Sequence, residues 1–337
     1  MVGIKQNIRH LCLSVFALVA LYACGSNHTE YITIDGQALG TFVQVKCEKI
    51  VNSDEIINLV KRVDKEAKMS MSIFDQNSLL SQINRNETDS LDCHILHNLT
   101  LARSFYELSN GAYDVTIKPL TEAWGFAAKQ PSKRTPNIDS LLVFVGFDKI
   151  SVDGNRLIKR DSRTQLDFNS IAKGYTVDLL AAELERLGID DYMVNIGGEI
   201  RCHGANARGE AWSVGVETPR EGNMGDSSFE KILRKTNCAI ATSGNYRRFY
   251  IADDGRKVAH TIDPHTGYST ISNLLSATVI APTCAEADAA ATMLMSLGSE
   301  GGALEVAQRC EKERGWLYYL IYADGEEYHI ECSDEFK

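Results

Sequence analysis

Three stretches of the chain carry apolar residues at the spacing of a buried helix face. After Ser53, a good N-cap residue, apolar side chains recur at three- and four-residue intervals through Ala67. The same spacing runs from Ile95 to Tyr106 and again from Val177 to Leu187, where Gly188 follows as a stop signal. The pattern therefore predicts three amphipathic helices.

Short β-rich runs separate these predicted helices. Tyr31 to Glu48 is typical of two strands around a glycine-containing bend, and Leu317 to Glu331 is typical of a hairpin around Asp324-Gly325. Helices and strands do not alternate as regular βαβ units, so the pattern favours the α+β class. The remaining β-rich runs are Tyr192 to Ile196, Trp212 to Glu217, Cys238 to Thr242 and Leu274 to Ile280.

Composition and charge narrow the possible functions. The 337 residues are 44% apolar and 24% charged, which is the composition of a globular protein with a sizeable core. This excludes intrinsic disorder, a collagen and a polytopic membrane protein. The 35 basic and 45 acidic residues give a formal charge of -10, the wrong sign for an extended nucleic-acid surface. No nucleic acid is expected as a partner.

The first residues resemble a bacterial lipoprotein leader. A basic start with Lys5 and Arg9 precedes an apolar run from Leu11 to Leu21, which is too short for a permanent membrane span. The order leucine, spacer, small residue and cysteine then ends at Cys24, as in a lipobox. We expect residues 1–23 to be removed and Cys24 to be acylated. A plain signal peptide or an ordinary core cysteine is the alternative.

This leader predicts the organisation and location of the chain. Residues 24–30 are expected to form a polar tether and residues 31–337 a single globular domain. Removal of residues 1–23 takes away two basic residues and no acid, which leaves 33 basic against 45 acidic residues, or -12. The expected location is outside the cytoplasm, with the lipid on the periplasmic face of the inner membrane.

The cysteines of the predicted mature chain do not suggest a disulfide framework. Seven remain after Cys12 leaves with the leader and Cys24 is committed to lipid, and no CxxC pair is present. An odd set without that spacing argues against both a disulfide scaffold and a structural zinc site. The seven are Cys47, Cys93, Cys202, Cys238, Cys284, Cys310 and Cys332.

One polar segment, Asp167 to Tyr175, enters the third predicted helix. Asn169 or Ser170 can cap this helix, and the free N–H groups of its first turn, with Lys173 beside them, would attract a phosphate. A capped helix with a solvated lysine is the alternative.

A second segment, Cys284 to Thr292, is an alanine-rich helix. Asp288 and Thr292 lie four residues apart, so their oxygens leave one helix face and could share a cation with ligand phosphates. Hard oxygen ligands suit Mg²⁺, and we expect Asp288 on an exposed face of the helix and not in the core. Hydrogen-bonded surface residues are the alternative.

Two further segments combine glycines with polar residues. His260 to Gly267 is a strand that ends in a Pro- and Gly-containing turn, and it can present an imidazole for proton transfer. A turn in which Asp263 caps its own backbone is an equally good explanation. Glycines in Asn195 to Glu199 and in Thr242 to Arg247 permit close approach of a ligand, although tight packing explains them equally well.

Taken together and in this order, these segments resemble the ApbE family, the FAD:protein FMN transferases or flavin transferases. The match runs from Tyr31 to about Glu331. The generic dinucleotide, P-loop, zinc-protease and hydrolase motifs are missing from the sequence. Its most specific parts are His260 to Gly267, Asp167 to Gly174, Thr242 to Arg247, Asn195 to Glu199, and Ala287-Asp288 with Thr292.

The resemblance implies a fold and a reaction. The fold is an α+β body of the T-fold type with two related subdomains. In the reaction FAD is split at its pyrophosphate, FMN is joined to a threonine or serine of an acceptor protein, and AMP is released. Implied acceptors are subunits of sodium-pumping NADH:quinone oxidoreductase and of the related Rnf complex. Mg²⁺-dependent hydrolysis of FAD to FMN and AMP, and flavin binding without turnover, are the competing functions.

The resemblance also assigns roles to residues. The chemistry of the side chains adds that His260 is our first choice to accept the hydroxyl proton and Asp288 the second, since a metal-bound carboxylate is a poor base. Leucine at position 39 and phenylalanine at position 74 stand where the family commonly has methionine and tyrosine, which puts ring-specific hydrogen bonds in doubt. The implied Mg²⁺ ligands are the backbone oxygen of Ala172 and the side chains of Asp288 and Thr292. The implied flavin contacts are Leu39, Phe74, Ala112, Tyr113, Asp114, Asn169, Lys173, His260 and Ile262.

Overall fold

The protein is described from a computed structural model. It covers residues 30–126, 135–217, 219, 229–245, 249–253, 255–270, 272–325 and 327–336. Cys24 and the predicted leader lie outside these residues. Within them, no helix is both long and apolar enough to cross a membrane.

The three predicted helices are present, with corrected starts. The first begins at Ser53, but its N-cap is Asn52, whose side chain accepts the Asp54 N–H at 3.0 Å. The third begins at Ala172, later than the segment that was expected to cap it. The helices are α1 Ser53–Met71, α2 Leu79–Asn84, α3 Cys93–Leu108, α4 Lys118–Ala123, α5 Ile138–Leu142, α6 Ala172–Arg186, α7 Cys284–Leu297 and α8 Ala303–Arg314.

All the predicted β-rich runs are strands. They are β1 Tyr31–Ala38, β2 Thr41–Glu48, β3 Ile150–Asp153, β4 Arg156–Lys159, β5 Tyr192–Ile196, β6 Glu199–His203, β7 Trp212–Glu217, β8 Phe229–Lys235, β9 Cys238–Gly244, β10 Phe249–Ile251, β11 Lys257–Ala259, β12 Leu274–Ala281, β13 Leu317–Asp324 and β14 Glu327–Cys332.

One antiparallel sheet organises the fold. Its order is β1-β2-β5-β6-β9-β12-β13-β14, and three two-stranded ribbons, β3-β4, β7-β8 and β10-β11, lie outside it. Every neighbouring pair in the large sheet is antiparallel. The predicted α+β class is therefore confirmed, whereas the division into two related subdomains stays a prediction.

The sheet buries both of its faces. Along β13, Tyr318 and Leu320 join the main core, while Tyr319 and Ile321 join a second cluster, as the two-residue period of a strand requires. Helices α1, α3, α6 and α7 contribute to the main core. The second cluster packs under the β7-β8 ribbon, which includes Trp212.

Helix α7 packs against strands β9 and β12 and against helix α6. Its run of alanines lets neighbours approach on several sides, and most of its residues are buried. At the closest point with α6, a Cβ on Gly174 would lie 2.2 Å from the Cys284 carbonyl oxygen. Only glycine fits there, because real Cβ atoms do not approach backbone oxygens so closely.

A smaller core cluster supports the turn that follows His260. Gly267 has a φ of +74° and donates its N–H to the Asp263 carbonyl at 2.8 Å. The indole of Trp124 donates to the Gly267 carbonyl, also at 2.8 Å. These bonds fix the conformation of the turn that follows His260.

Candidate active site

A cleft of about 1020 Å³ opens where α6 and α7 meet the ends of β6 and β9. This is the upper end of the size range of small-molecule sites. All the flavin and metal residues implied by the resemblance line it, although they come from segments far apart in the chain. They are Leu39, Phe74, Ala112, Tyr113, Asp114, Asn169, Ala172, Lys173, His260, Ile262, Asp288 and Thr292.

The predicted exposed position of Asp288 is wrong. The residue is only 3% exposed, because α7 is enclosed by the sheet and by α6. Its Oδ2 accepts the Gly174 N–H at 3.0 Å, and its Oδ1 lies 4.0 Å from the Lys173 Nζ. Burial raises the pKa of Asp288 from 3.8 to about 7, while Lys173 acts in the opposite direction.

The expected capping of α6 is also wrong. Its N-cap position is Ile171, whose side chain makes no capping bond. The Ser170 hydroxyl instead donates to the Tyr113 hydroxyl at 2.9 Å, and the Asn169 N–H is bound by Asp167. Asp288, from another helix, caps the first turn through Gly174. The Gly174 N–H of this turn is therefore occupied by Asp288, while the Lys173 side chain lines the cleft.

Lys173 is held between two buried carboxylates. Its ammonium forms an ion pair with Glu199 and faces Asp288, while about a third of its side chain stays exposed to the cleft. Burial alone would lower the pKa of Lys173, but the two carboxylates outweigh burial and hold that pKa above its ordinary value. The cluster carries one positive and up to two negative charges, so it favours an added cation.

Glu199 is the site residue that sequence reasoning left without a role. The turn before it, Gly197-Gly198, has positive φ at both residues, which places Glu199 at the start of β6 facing the cleft. The side chain is 3% exposed, and its Oε2 is buried without a hydrogen-bond partner in the described structure. In the sequence, the position of Glu199 directly after a Gly-Gly turn is the feature that could have marked it as a site residue. Only the fold shows that Lys173 is its partner.

His260 lies on the cleft wall beside the Phe126 ring, with ring centroids 6.4 Å apart. The Asp263 side chain accepts the His265 N–H at 2.9 Å and the Thr266 hydroxyl at 3.0 Å. The turn explanation for this segment is therefore confirmed, and it coexists with an imidazole at the cleft.

Three of the residues implied as flavin contacts differ in how firmly the structure holds them. Leu39 sits at a turn with φ +51°, and its N–H is held by Asp64 at 2.7 Å. Phe74 is 62% exposed, so a large apolar face is available at the cleft mouth. Burial raises the pKa of Asp114 to about 6, although N–H groups of Thr116 and Phe147 bind the carboxylate and counteract the rise.

Comparison with known proteins decides the family. The ApbE family model matches residues 39–315. The chain belongs to the ApbE family. An FAD:protein FMN transferase of Haemophilus influenzae is 34% identical over 327 residues, which cover 93% of this chain and 92% of the relative. The Escherichia coli K12 protein of the same name is 30% identical over 322 residues, 92% of this chain and 89% of that protein.

Solved ApbE structures share the fold. Flavin transferase ApbE from Vibrio cholerae has a TM-score of 0.80 at 30% identity, covering 91% of this chain and 98% of that one. The apo form of Pseudomonas stutzeri flavinyl transferase ApbE also scores 0.80, at 28% identity, with 91% and 96% covered. The resemblance read from the sequence motifs is confirmed.

The oxygens of this ApbE site fit a hard divalent cation. Asp288 offers Oδ1, and the Thr292 hydroxyl lies 3.2 Å from the Ser243 hydroxyl. The Ala172 carbonyl accepts the Thr176 hydroxyl at 2.7 Å. Among the residues described, no three His, Cys, Asp or Glu side chains cluster as a metal site. A cation here would therefore rely on one carboxylate, neutral oxygens and ligand phosphates, which is typical of Mg²⁺.

Proposed function

We propose that this protein is an FAD:protein FMN transferase that requires Mg²⁺ and modifies a threonine or serine hydroxyl. The observation that carries the proposal is that every implied flavin and metal residue lines the same cleft. The acceptor oxygen forms a bond to the phosphorus of the FMN half of FAD. The bond from that phosphorus to the bridging oxygen breaks, and AMP leaves.

Transfer of this kind depends on positioning and on charge stabilisation. Lys173 projects from the first turn of α6 into the cleft, where its ammonium would bind a pyrophosphate oxygen. Its pKa is held above the ordinary lysine value, so this group keeps its charge at neutral pH. His260, which also lines the cleft, is the group we assign to accept the proton of the acceptor hydroxyl.

Asp288, Thr292 and the carbonyl of Ala172 would hold the Mg²⁺. A bound Mg²⁺ supplies positive charge against the pyrophosphate oxygens. Asp288 is already enclosed and fixed by Gly174, so its carboxylate is oriented before any ligand arrives. Asp288 therefore serves better as a ligand than as the base, which leaves that role to His260.

The acceptor and the location belong to the same proposal. An exported chain anchored through Cys24 would meet acceptor threonines on membrane redox proteins. Subunits of sodium-pumping NADH:quinone oxidoreductase and of the Rnf complex are the acceptors to test first. The family resemblance and the leader pattern support this choice.

The test is incubation of the purified protein with FAD, Mg²⁺ and a candidate acceptor, followed by a denaturing gel read for flavin fluorescence. We expect a fluorescent acceptor band that disappears when the acceptor threonine is replaced. Free FMN and AMP without a band would show hydrolysis instead, and unchanged FAD would show binding only. Either result contradicts the proposal.

Asp288→Asn provides the matched variant for the metal. Because Asp288 is buried, asparagine preserves its volume better than alanine and keeps an oxygen for the Gly174 N–H. Transfer should fall at least a thousandfold, the effect of about 4 kcal/mol of lost transition-state stabilisation. Asp35→Asn, on the exposed face of β1, is the control and should transfer normally.

A further inference from the structure

Two cysteines that are far apart in the chain face each other in the large sheet. Cys202 in β6 is directly opposite Cys238 in β9 in the antiparallel register. Directly opposed residues have Cα atoms about 4.5–5.5 Å apart. A disulfide accepts Cα separations of roughly 4.4–6.8 Å, so this register meets the requirement without backbone movement.

Both thiols point to the same side of the sheet, because opposed residues of neighbouring strands share a face. Cys202 belongs to the second core cluster, and Cys238 packs against that cluster. The Cys202 Sγ lies 3.7 Å from the Cys238 carbonyl oxygen. Both cysteines are free in the structure.

The surroundings give the two thiols different reactivity. A hydrogen bond from the Cys202 thiol lowers the pKa of Cys238, and the Lys235 ammonium lowers it further. The same bond raises the pKa of Cys202, which is only 1% exposed. Cys238 is half-buried and is therefore more exposed than Cys202. This combination of one partly exposed, activated thiol and one enclosed partner is typical of a pair that oxidises stepwise.

We propose that Cys202 and Cys238 are a redox modification site that closes to a disulfide on reaction with a disulfide-bearing oxidant. The Cys238 thiolate attacks one sulfur of the oxidant RSSR, forms a mixed disulfide and releases RS⁻. Cys202 passes its proton to RS⁻ to give RSH, then attacks the Cys238 sulfur and releases a second RS⁻, which takes up the proton that Cys238 lost. In sum, two protein thiols are oxidised and one RSSR is reduced to two RSH.

The disulfide would join two strands whose ends line the cleft. β6 begins with Glu199, and β9 ends with Ser243 and Gly244, all of which line the cleft. The bond would also enclose the chain between positions 202 and 238, which removes freedom from the unfolded state. A gain in thermal stability is expected, of roughly 5 °C or more. Extracytoplasmic compartments supply oxidants of this class.

The experiment treats the purified full chain with oxidised glutathione while folded, then denatures it, alkylates free thiols and analyses the peptides by mass spectrometry. We expect a linked peptide pair that contains Cys202 and Cys238 and is two hydrogens lighter than the reduced pair. The melting temperature should rise and fall back on reduction. Cys93, which is exposed, provides an internal comparison, since it should carry glutathione and form no internal bond.

Two variants make the order of steps testable. Cys202→Ala removes the resolving thiol, so Cys238 should be trapped as the glutathione mixed disulfide. Cys332→Ser is the matched control, because Cys332 is half-buried in β14 opposite a tyrosine, and it should leave the linked pair intact. Alkylation of both Cys202 and Cys238 after oxidation would overturn the proposal. A linkage between other cysteines would overturn it equally.

Discussion

Gly174→Ala tests whether close packing of two helices builds the candidate site. The new Cβ would lie 2.2 Å from the Cys284 carbonyl oxygen and 2.8 Å from the Asp288 Cβ. Helix backbone cannot rotate away as a side chain can, so α6 and α7 must separate. The perturbation acts on the contact between α6 and α7 and on the Asp288 carboxylate together.

Two opposing effects set the size of the change in unfolding free energy. Overpacking of this kind costs about 3 kcal/mol of unfolding free energy, the upper part of its usual range, because the obstacle is backbone. Alanine gains about 1 kcal/mol over glycine in helix propensity. The net loss is therefore about 2 kcal/mol, or roughly a 4–8 °C lower melting temperature. Separation of the helices also lengthens the 3.0 Å bond between Gly174 and Asp288, and a displacement near 1 Å can slow catalysis about a hundredfold.

The assay combines denaturant unfolding with the rate of FMN transfer at saturating FAD. Gly36→Ala is the control, since a Cβ there would meet only Val43 Cγ1 at an ordinary 3.5 Å, and it should change stability by less than about 0.5 kcal/mol. If Gly174→Ala unfolds and transfers like the unmodified protein, the close approach of α6 and α7 is not what positions Asp288.

Three further predictions concern the charges in the cleft. His260→Asn should slow transfer about a hundredfold with unchanged FAD binding. When Mg²⁺ saturates the site at every pH, so that protonation of Asp288 does not limit the rate, the variant should also lose the acid limb of the pH profile; an unchanged limb assigns the proton to another group. Burial raises the pKa of Asp288 to about 7, and only the ionised carboxylate binds a cation. Mn²⁺ affinity measured by calorimetry should therefore fall about tenfold per pH unit below 7 and level off above it. A constant affinity from pH 5 to 8 would contradict this assignment. Glu199→Gln should leave Lys173 to pair with Asp288, so that Lys173 competes with Mg²⁺ for this carboxylate. The Mg²⁺ concentration for half-maximal rate should rise about tenfold, a modest factor because Lys173 is one-third exposed. The exposed Glu335→Gln is the control, and an unchanged Mg²⁺ requirement in Glu199→Gln refutes competition between Lys173 and Mg²⁺.

Local sequence patterns predicted α1, α3, α6 and the main β-rich segments, whereas α2, α4, α5 and α8 were not predicted. Ile56, Ile95 and Val177 start apolar periods that are read directly from neighbouring residues, and α1, α3 and α6 follow them. The five motif segments carried enough specificity to identify the ApbE family. The family resemblance then supplied the implied site residues, including Leu39, Phe74 and Asp114 outside those segments, and these residues line one cleft. These patterns depend on residues that are close together in the chain, so they can be recognised without knowing the order of the strands in the sheet.

The tertiary structure decided which of these residues touch. An alanine-rich helix has no polar face that marks its exposed side, so the burial of Asp288 and its bond to Gly174, 114 residues earlier, were not readable from α7. The ion pair of Glu199 with Lys173 likewise depends on a hairpin and a helix meeting at one point. The opposition of Cys202 and Cys238 depends on β6 and β9 becoming neighbours in the sheet, an order that the spacing of residues along the chain does not encode.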